Sequence, residues 1–286
     1  MAKKFIALKK EILGIEDIKE TTKALEKISA ASLHYLKMTN QRIENYEKIL
    51  KQIFIELLEE FPENRLFQRH LKGKKLNVIL TTEKGLSGGL LNNLLNFLKE
   101  NIKEEEDVLV VGKEGRKKAE EKGIKISYFY PGFKEIPKDQ NIRGLEDFIV
   151  SKFLNSEYRE IIIFWPNFKN FGYQVPKKTT FLPIDKEKIK IELGEKSDFD
   201  FAYPIYEPGQ KKIINYLIKE YLNLVFYQKI LETKLSELSA RTLAMENSSN
   251  KASNLIRSLN WRYFREKREV VTKEITDLFS HRKSIL

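Results

Sequence analysis

The sequence predicts an α/β head domain, with a parallel or mixed sheet and flanking helices, attached to a long antiparallel two-helix coiled coil formed by the N- and C-termini. Three observations lead there. From Gln210 to Leu286 the chain has neither proline nor glycine, and apolar or small residues recur at alternating steps of four and three. Residues 1–61 repeat that spacing and contain one glycine, Gly14. Between the two, residues 74–206 alternate short β-rich runs with helical patterns. A sustained four-three spacing is the signature of a coiled coil. Alternating strands and helices indicate a sheet with helices on its faces.

The first helix, residues 1–61, places Phe5, Leu8, Ile12, Ile15, Ile18, Leu25 and Ile28 along one frame. After the small residues Ser29 to Ser32 the frame returns at Ile43, Tyr46, Leu50, Ile53 and Leu57. Gly14 costs about 1 kcal/mol in a helix interior; it marks a bend, a close backbone approach, or a tolerated glycine.

In the middle segment, Leu76–Thr82, Asp107–Gly112, Lys125–Tyr130 and Glu160–Trp165 read as strands, and Gln174–Leu182 as a more polar edge strand. Helical patterns fill Gly88–Asn101, Glu114–Lys122 and Leu145–Leu154. The loop with Pro204 and Pro208 closes the domain.

The last helix, residues 210–286, carries the seam Leu217, Tyr221, Leu224, Gln228, Leu231, Leu235 and Leu238. It continues through Thr242, Met245, Ser249, Ala252, Ile256, Leu259 and Tyr263. Helix over ~77 residues spans roughly 115 Å. One such helix alone would expose its leucines to aggregation, and antiparallel pairing of the two termini buries both seams. The second helix is longer by roughly 15 residues, or ~22 Å, so one end outruns its partner. Past Tyr263 the seam fades, because Glu266 and Lys273 fall in its frame.

Composition narrows the chemistry. The formal net charge is +11, with 41% hydrophobic and 33% charged residues, which supports a core plus long solvated helices. The positive balance reflects either lysine-rich solvated faces or an acidic partner. Cysteine is absent, and the three histidines (His34, His70, His281) are scattered, which disfavours thiolate and histidine metal centres. No apolar run approaches the ~20 residues of a membrane span. The basic start lacks a sustained apolar stretch and a cleavage signal, so the chain is expected on the cytoplasmic side.

The Gly85-Leu-Ser-Gly-Gly89 turn follows a strand and opens a helix, where backbone amides can hold phosphate. It matches neither phosphate-binding glycine motif, and Asp107 precedes its strand rather than following it. Gly85, Gly88 and Gly89 are therefore expected to serve a tight turn and close helix–sheet packing. The acid pairs Glu59/Glu60 and Glu104–Glu106 read as solvated faces, and Ser87, Ser248 and Ser249 have no histidine near in sequence. Arg257 to Lys283 interleaves Lys and Arg with Trp261, Tyr263, Phe264 and Phe279. That pattern suits nucleic acid, or equally a helix running through a protein sleeve.

These residues resemble the gamma subunit family of F-type ATP synthases. Leu8, Lys9, Ile12, Ile15, Thr22, Lys23, Ala24, Leu25, Ile28, Ala30, Ala31 and Leu33 fit the family's amino-terminal pattern. Gly85 to Gly89 is similar to its G-L-C-G-G, with Ser87 in place of cysteine. Tyr206-Glu207-Pro208 resembles its lead into the last helix. Ala240-Arg241, Ala244-Met245, Ala252, Asn254-Leu255-Ile256, Leu259, Tyr263, Thr272, Glu274 and Ile275 follow its carboxy-terminal pattern. The chain departs from the family at Asp17, Ile18 and Glu20, at Asn250-Lys251, and from Tyr263 to Glu269, where basic character survives at Arg265, Lys267 and Arg268.

The resemblance implies a central-stalk rotor subunit of a proton-translocating F-type ATP synthase, coupling c-ring rotation to ATP chemistry elsewhere. The implied partners are the alpha and beta subunits of the catalytic hexamer, the epsilon subunit and the c-ring. The implied place is the bacterial cytoplasmic face of the cell membrane, peripheral and without direct insertion. It implies no catalytic, cofactor-binding or metal-binding residue, and contacts to the hexamer from Lys23, Arg241, Arg265, Lys267 and Arg268. The alternatives from the residues themselves are a basic coiled-coil nucleic-acid-binding protein and a nucleotide-dependent enzyme built on the Gly85–Gly89 turn.

Overall fold

A computed structural model of the chain describes residues 2–60, 64–68, 70, 73–134, 137, 139–193, 207 and 209–283. Two helices flank the chain: α1 at Ala2–Glu60 and, last in order, α6 at Gln210–Lys283. Between them come β1 (Lys74–Leu80), α2 (Leu90–Asn101), β2 (Asp107–Val111), α3 (Lys113–Glu121) and β3 (Tyr128–Tyr130). Then follow α4 (Asp139–Leu154), β4 (Tyr158–Asn170), β5 (Tyr173–Leu182) and α5 (Lys186–Leu193). Tyr206 and Pro208 of the expected lead into the last helix lie outside the described residues, as do Phe61, Pro62 and Pro204.

The chain divides into two compact units. One comprises residues 30–240; the other comprises residues 1–29 and 241–286. By element, α1 ends at Glu60, β1 begins at Lys74 and α6 begins at Gln210. The compact units are cut elsewhere, because both end helices contribute to each unit.

In the larger unit the five strands run in the order β3-β2-β1-β4-β5. The first four are parallel, and β5 returns antiparallel to β4, so the sheet is mixed. Strand order reverses between β1 and β4, the topological switch point of an open α/β sheet. The central strands are buried on both faces and read as continuous apolar runs. One face packs Ile79, Val108, Val110 and Phe164 against Leu91, Leu94, Leu95 and Leu98 of α2 and Ala119 of α3. The other packs Val78, Leu80, Ile161 and Ile163 against Ile142, Leu145, Ile149 and Phe153 of α4. Ile214, Ile218, Leu222 and Phe226 of α6 join that second core, together with Leu50 of α1.

Within this unit α1 and α6 run antiparallel. Leu36 clusters with Leu231, Leu235 and Leu238, whereas Leu50, later in α1, clusters with the earlier α6 residues Ile214 and Ile218. The α6 stretch from Tyr221 to Ser239 is buried on almost every side. A coiled-coil seam buries only one stripe of a helix. Here the sheet and α1 enclose the same helix from different directions, so even Ser236 and Ser239 are fully covered.

Three elements have bounds that depart most from the sequence expectation, and two further elements appear. The third strand shortens from Lys125–Tyr130 to three residues. The helix expected from Leu145 begins at Asp139. The fourth strand runs past Trp165 to Asn170. Helix α5 and a 3-10 turn at Arg65–Phe67, capped by the Asn64 side chain, were not expected. At Gly14 a side chain would meet nothing within 4 Å, so no close backbone approach explains that glycine.

Candidate functional site

The glycine-containing segment Gly85–Gly89 follows β1 and leads into α2. Leu86 and Gly88 take left-handed φ values of 66° and 57°, and Gly89 precedes the first turn of α2. Close packing is done by other glycines. A side chain at Gly85 would meet only ordinary contact, at 3.6 Å from Glu114. A Cβ at Gly112, where φ is 113°, would sit 2.7 Å from Thr81 Oγ1 and 2.7 Å from the Thr82 carbonyl. One at Gly115 would drive into the Thr81 side chain. Gly112 and Gly115 thus let α3 approach the end of β1.

Beside this turn, Glu83 fills the N-terminus of α3 rather than that of α2. Glu83 Oε2 accepts the backbone N–H of Lys113, the first residue of α3, at 3.0 Å, and that of Gly132 at 2.9 Å. Lys113 Nζ lies 3.3 Å from the other carboxylate oxygen. Burial pushes the Glu83 carboxyl up. The two backbone amides and the Lys113 ammonium together outweigh burial and hold it below its ordinary value. A helix N-terminus that receives an internal carboxylate is satisfied without a ligand.

The smaller unit presents a different surface. Along α6, Met245, Ala252 and Leu259 are buried, as are Ile12, Thr22 and Ser29 of α1. Phe5 meets Tyr263 edge-on, with ring centroids 6.2 Å apart, near the end of this seam. From there a second apolar line opens on α6: Trp261, Phe264, Arg268, Val271, Ile275 and Leu278, at steps of three, four, three, four and three. That spacing places them on one helix face. All six are exposed, Trp261 at 77% and Leu278 at 72%. A groove of about 790 Å³ lies on this face, lined in part by Arg257, Trp261, Phe264, Lys267 and Arg268.

The expected contact residues are placed unequally. Lys23 is exposed on α1. Arg265 is exposed and pairs with Glu269 at 3.1 Å along the helix, an ion pair that water weakens to little net value. Lys267 and Arg268 line the groove, and Arg268 Nε donates to the Phe264 carbonyl at 3.4 Å. Arg241 differs: it is only 5% exposed, so its side chain is not offered at the surface. The exposed line from Trp261 to Leu278 is a second frame, two residues out of step with the fading first seam and interrupted by Arg268. Its signal was already in the sequence.

Among the described residues no helix is long and apolar enough to cross a membrane. No cluster of three or more potential metal-ligating side chains occurs among them either. His70 instead lies against the Phe153 ring, with centroids 4.6 Å apart.

The sequence model of the family described as ATP synthase matches residues 4–284. The ATP synthase gamma chain of Cytophaga hutchinsonii is 24% identical over 283 residues, covering 95% of this chain and 95% of its own. The sodium-ion-specific ATP synthase gamma chain of Acetobacterium woodii is 25% identical and covers 97% of each chain. In fold, the chain is similar to one from the solved central stalk and c-ring of the Tetrahymena thermophila mitochondrial ATP synthase. The TM-score is 0.60 at 18% identity, with 80% of this chain and 99% of that chain covered.

Proposed function

The chain belongs to the ATP synthase family, and on that premise we propose that it is the gamma subunit, the central-stalk rotor of a membrane-bound rotary ATP synthase. The observation that carries this reading is the pairing of the two end helices, with a family match that spans nearly the whole chain. The relatives named gamma chain are matched over almost their full length.

In this reading the subunit is mechanical and catalysis belongs to its partners. The alpha and beta subunits surround the carboxy-terminal part of α6, while the α/β head meets the c-ring and the epsilon subunit at the cytoplasmic face of the membrane. The exposed line Trp261–Leu278 is the bearing surface, where α6 exchanges its α1 partner for a protein sleeve. Apolar side chains supply contact area there. Lys23, Arg265, Lys267 and Arg268 supply long-range attraction to acidic loops, which steers more than it locks. Such a contact must be shallow, because a shaft held in one orientation by more than a few kcal/mol over the next would stall. The coupling ion is selected by the membrane ring and leaves the shaft's mechanics unchanged.

The experiment is co-purification. Tagged chain expressed in its own cell is expected to bring down alpha and beta subunits in equal, threefold excess. Recovery of the chain with nucleic acid, in a complex dissolved steeply by salt, would contradict the reading.

A further inference from the structure

The larger unit contains a row of polar bonds between α6 and the β4–β5 hairpin that the seam does not explain. Glu232 Oε2 accepts the Trp165 indole N–H and an Asn167 amide N–H, each at 2.6 Å. One turn on, Ser236 Oγ donates to the Pro166 carbonyl at 2.8 Å. Ser239 Oγ donates to the Phe171 carbonyl at 2.5 Å. The three positions are spaced by four and three, so they share one helix face. That face lies beside the apolar line Leu231, Leu235 and Leu238, which meets Leu36 of α1. Glu232 is 8% exposed and both serines are fully buried.

We propose that Glu232, with Ser236 and Ser239, is the bond line that passes torque from the α/β head into the carboxy-terminal helix. The proposal rests on the rotor reading above. Its warrant is directional. The hydrophobic driving force is non-directional and by itself sets no particular rotation of a helix about its own axis. Hydrogen bonds weaken steeply as their angle departs from linear, so a row of them fixes that rotation. The strongest anchor is the charged one, because bonds to an ionised acceptor are shorter and stronger than neutral ones. Lys229 holds the Glu232 carboxylate in place, with Nζ 3.0 Å from Oε1 and 4.8 Å from the centroid of the Trp165 ring. These are positioning residues: they act through the helix and touch no reacting group.

The test is torsional stiffness in the assembled complex of this chain with its alpha and beta subunits. A bead is attached to the head through Leu86→Cys, at a site 61% exposed in a chain that otherwise has no cysteine. The hexamer is fixed, and the angular spread of the bead is recorded without nucleotide. Glu232→Ala removes two of the four bonds between α6 and the hairpin described above, and the angular variance is expected to rise about twofold. Glu232→Gln keeps an acceptor oxygen and is expected to fall between Ala and the unaltered chain. If Glu232→Ala fails to assemble, the Ser236→Ala, Ser239→Ala double variant serves instead, with a smaller rise expected. Unchanged variance in an assembled complex overturns the bond line, even if thermal stability has dropped. Failure of the unaltered chain to capture alpha and beta subunits overturns the rotor reading instead.

Discussion

Glu83 is a half-buried carboxylate and Glu146 a buried one, and their surroundings move them in opposite directions. Glu83 sits where an outside anion would bind, and its three donors more than offset its burial. A lowered native value means that its contribution to stability is present above the ordinary carboxylate range and is lost as pH falls through the native value. Glu83→Gln is expected to cost about 1 kcal/mol near neutral pH, after allowance for solvent screening. The gap to the unaltered chain should close on acidification, as read by urea unfolding at several pH values. Glu146 on α4 is 2% exposed and pairs with Asn223 of α6 at 2.9 Å. Burial pushes its carboxyl up to about 7; the Asn223 bond and the more distant Arg143 and Lys219 oppose this only in part, and Asp147 adds to it. A raised native value works the other way: its contribution is full below the ordinary carboxylate range and is lost as pH rises towards 7. Glu146→Gln should therefore unfold at higher urea than the unaltered chain above neutral pH, with the advantage vanishing in acid. An advantage that grew in acid would contradict the assignment.

At the scale of the elements, the two apolar lines of α6 predict opposite responses to truncation. Leu235 is 1% exposed on the line that faces α1, and Leu235→Ala is expected to cost about 2–5 kcal/mol of unfolding free energy. Leu278 is 72% exposed, and Leu278→Ala should change stability by no more than about 0.5 kcal/mol. If Leu278 belongs to the bearing surface, its truncation shows instead as weaker retention of the hexamer, measured by dissociation of the purified complex. The helices α1 and α6 were legible in the sequence because a seven-residue period persists too long to arise from a shorter element. The inner strands were legible as unbroken runs such as Asp107–Val111. The extension of β4 past Trp165 was hidden by Pro166, which lacks a ladder donor. In the fold Pro166 stands opposite Pro176, and its carbonyl finds Ser236, so the strand continues. Helix α5 was hidden by Ile189, Ile191 and Leu193, whose alternation gives no helical stripe. The polar bond line was illegible for a different reason. Glu232, Ser236 and Ser239 have the composition of a solvated face, and only the arrival of the hairpin makes them buried partners.

For the whole molecule, Lys23, Arg265, Lys267 and Arg268 matter through the partners they meet. Exposed charges contribute at most about 1 kcal/mol each. Neutralising Arg265, Lys267 and Arg268 together should then shift the balance between shaft orientations by roughly tenfold, taking about 0.5 kcal/mol apiece. Ion pumping per ATP hydrolysed should fall in reconstituted vesicles while the fold, read by circular dichroism, stays intact; full pumping in the triple variant would remove the bearing role from these three residues. The central claim, that this chain turns as a rotor inside its partners, has a more direct test. With the hexamer fixed to a surface and a bead on the Leu86→Cys head, ATP is expected to drive stepwise rotation in one direction, stopping when ATP is withdrawn. An assembled, ATP-hydrolysing complex whose bead only fluctuates about a fixed angle would contradict it.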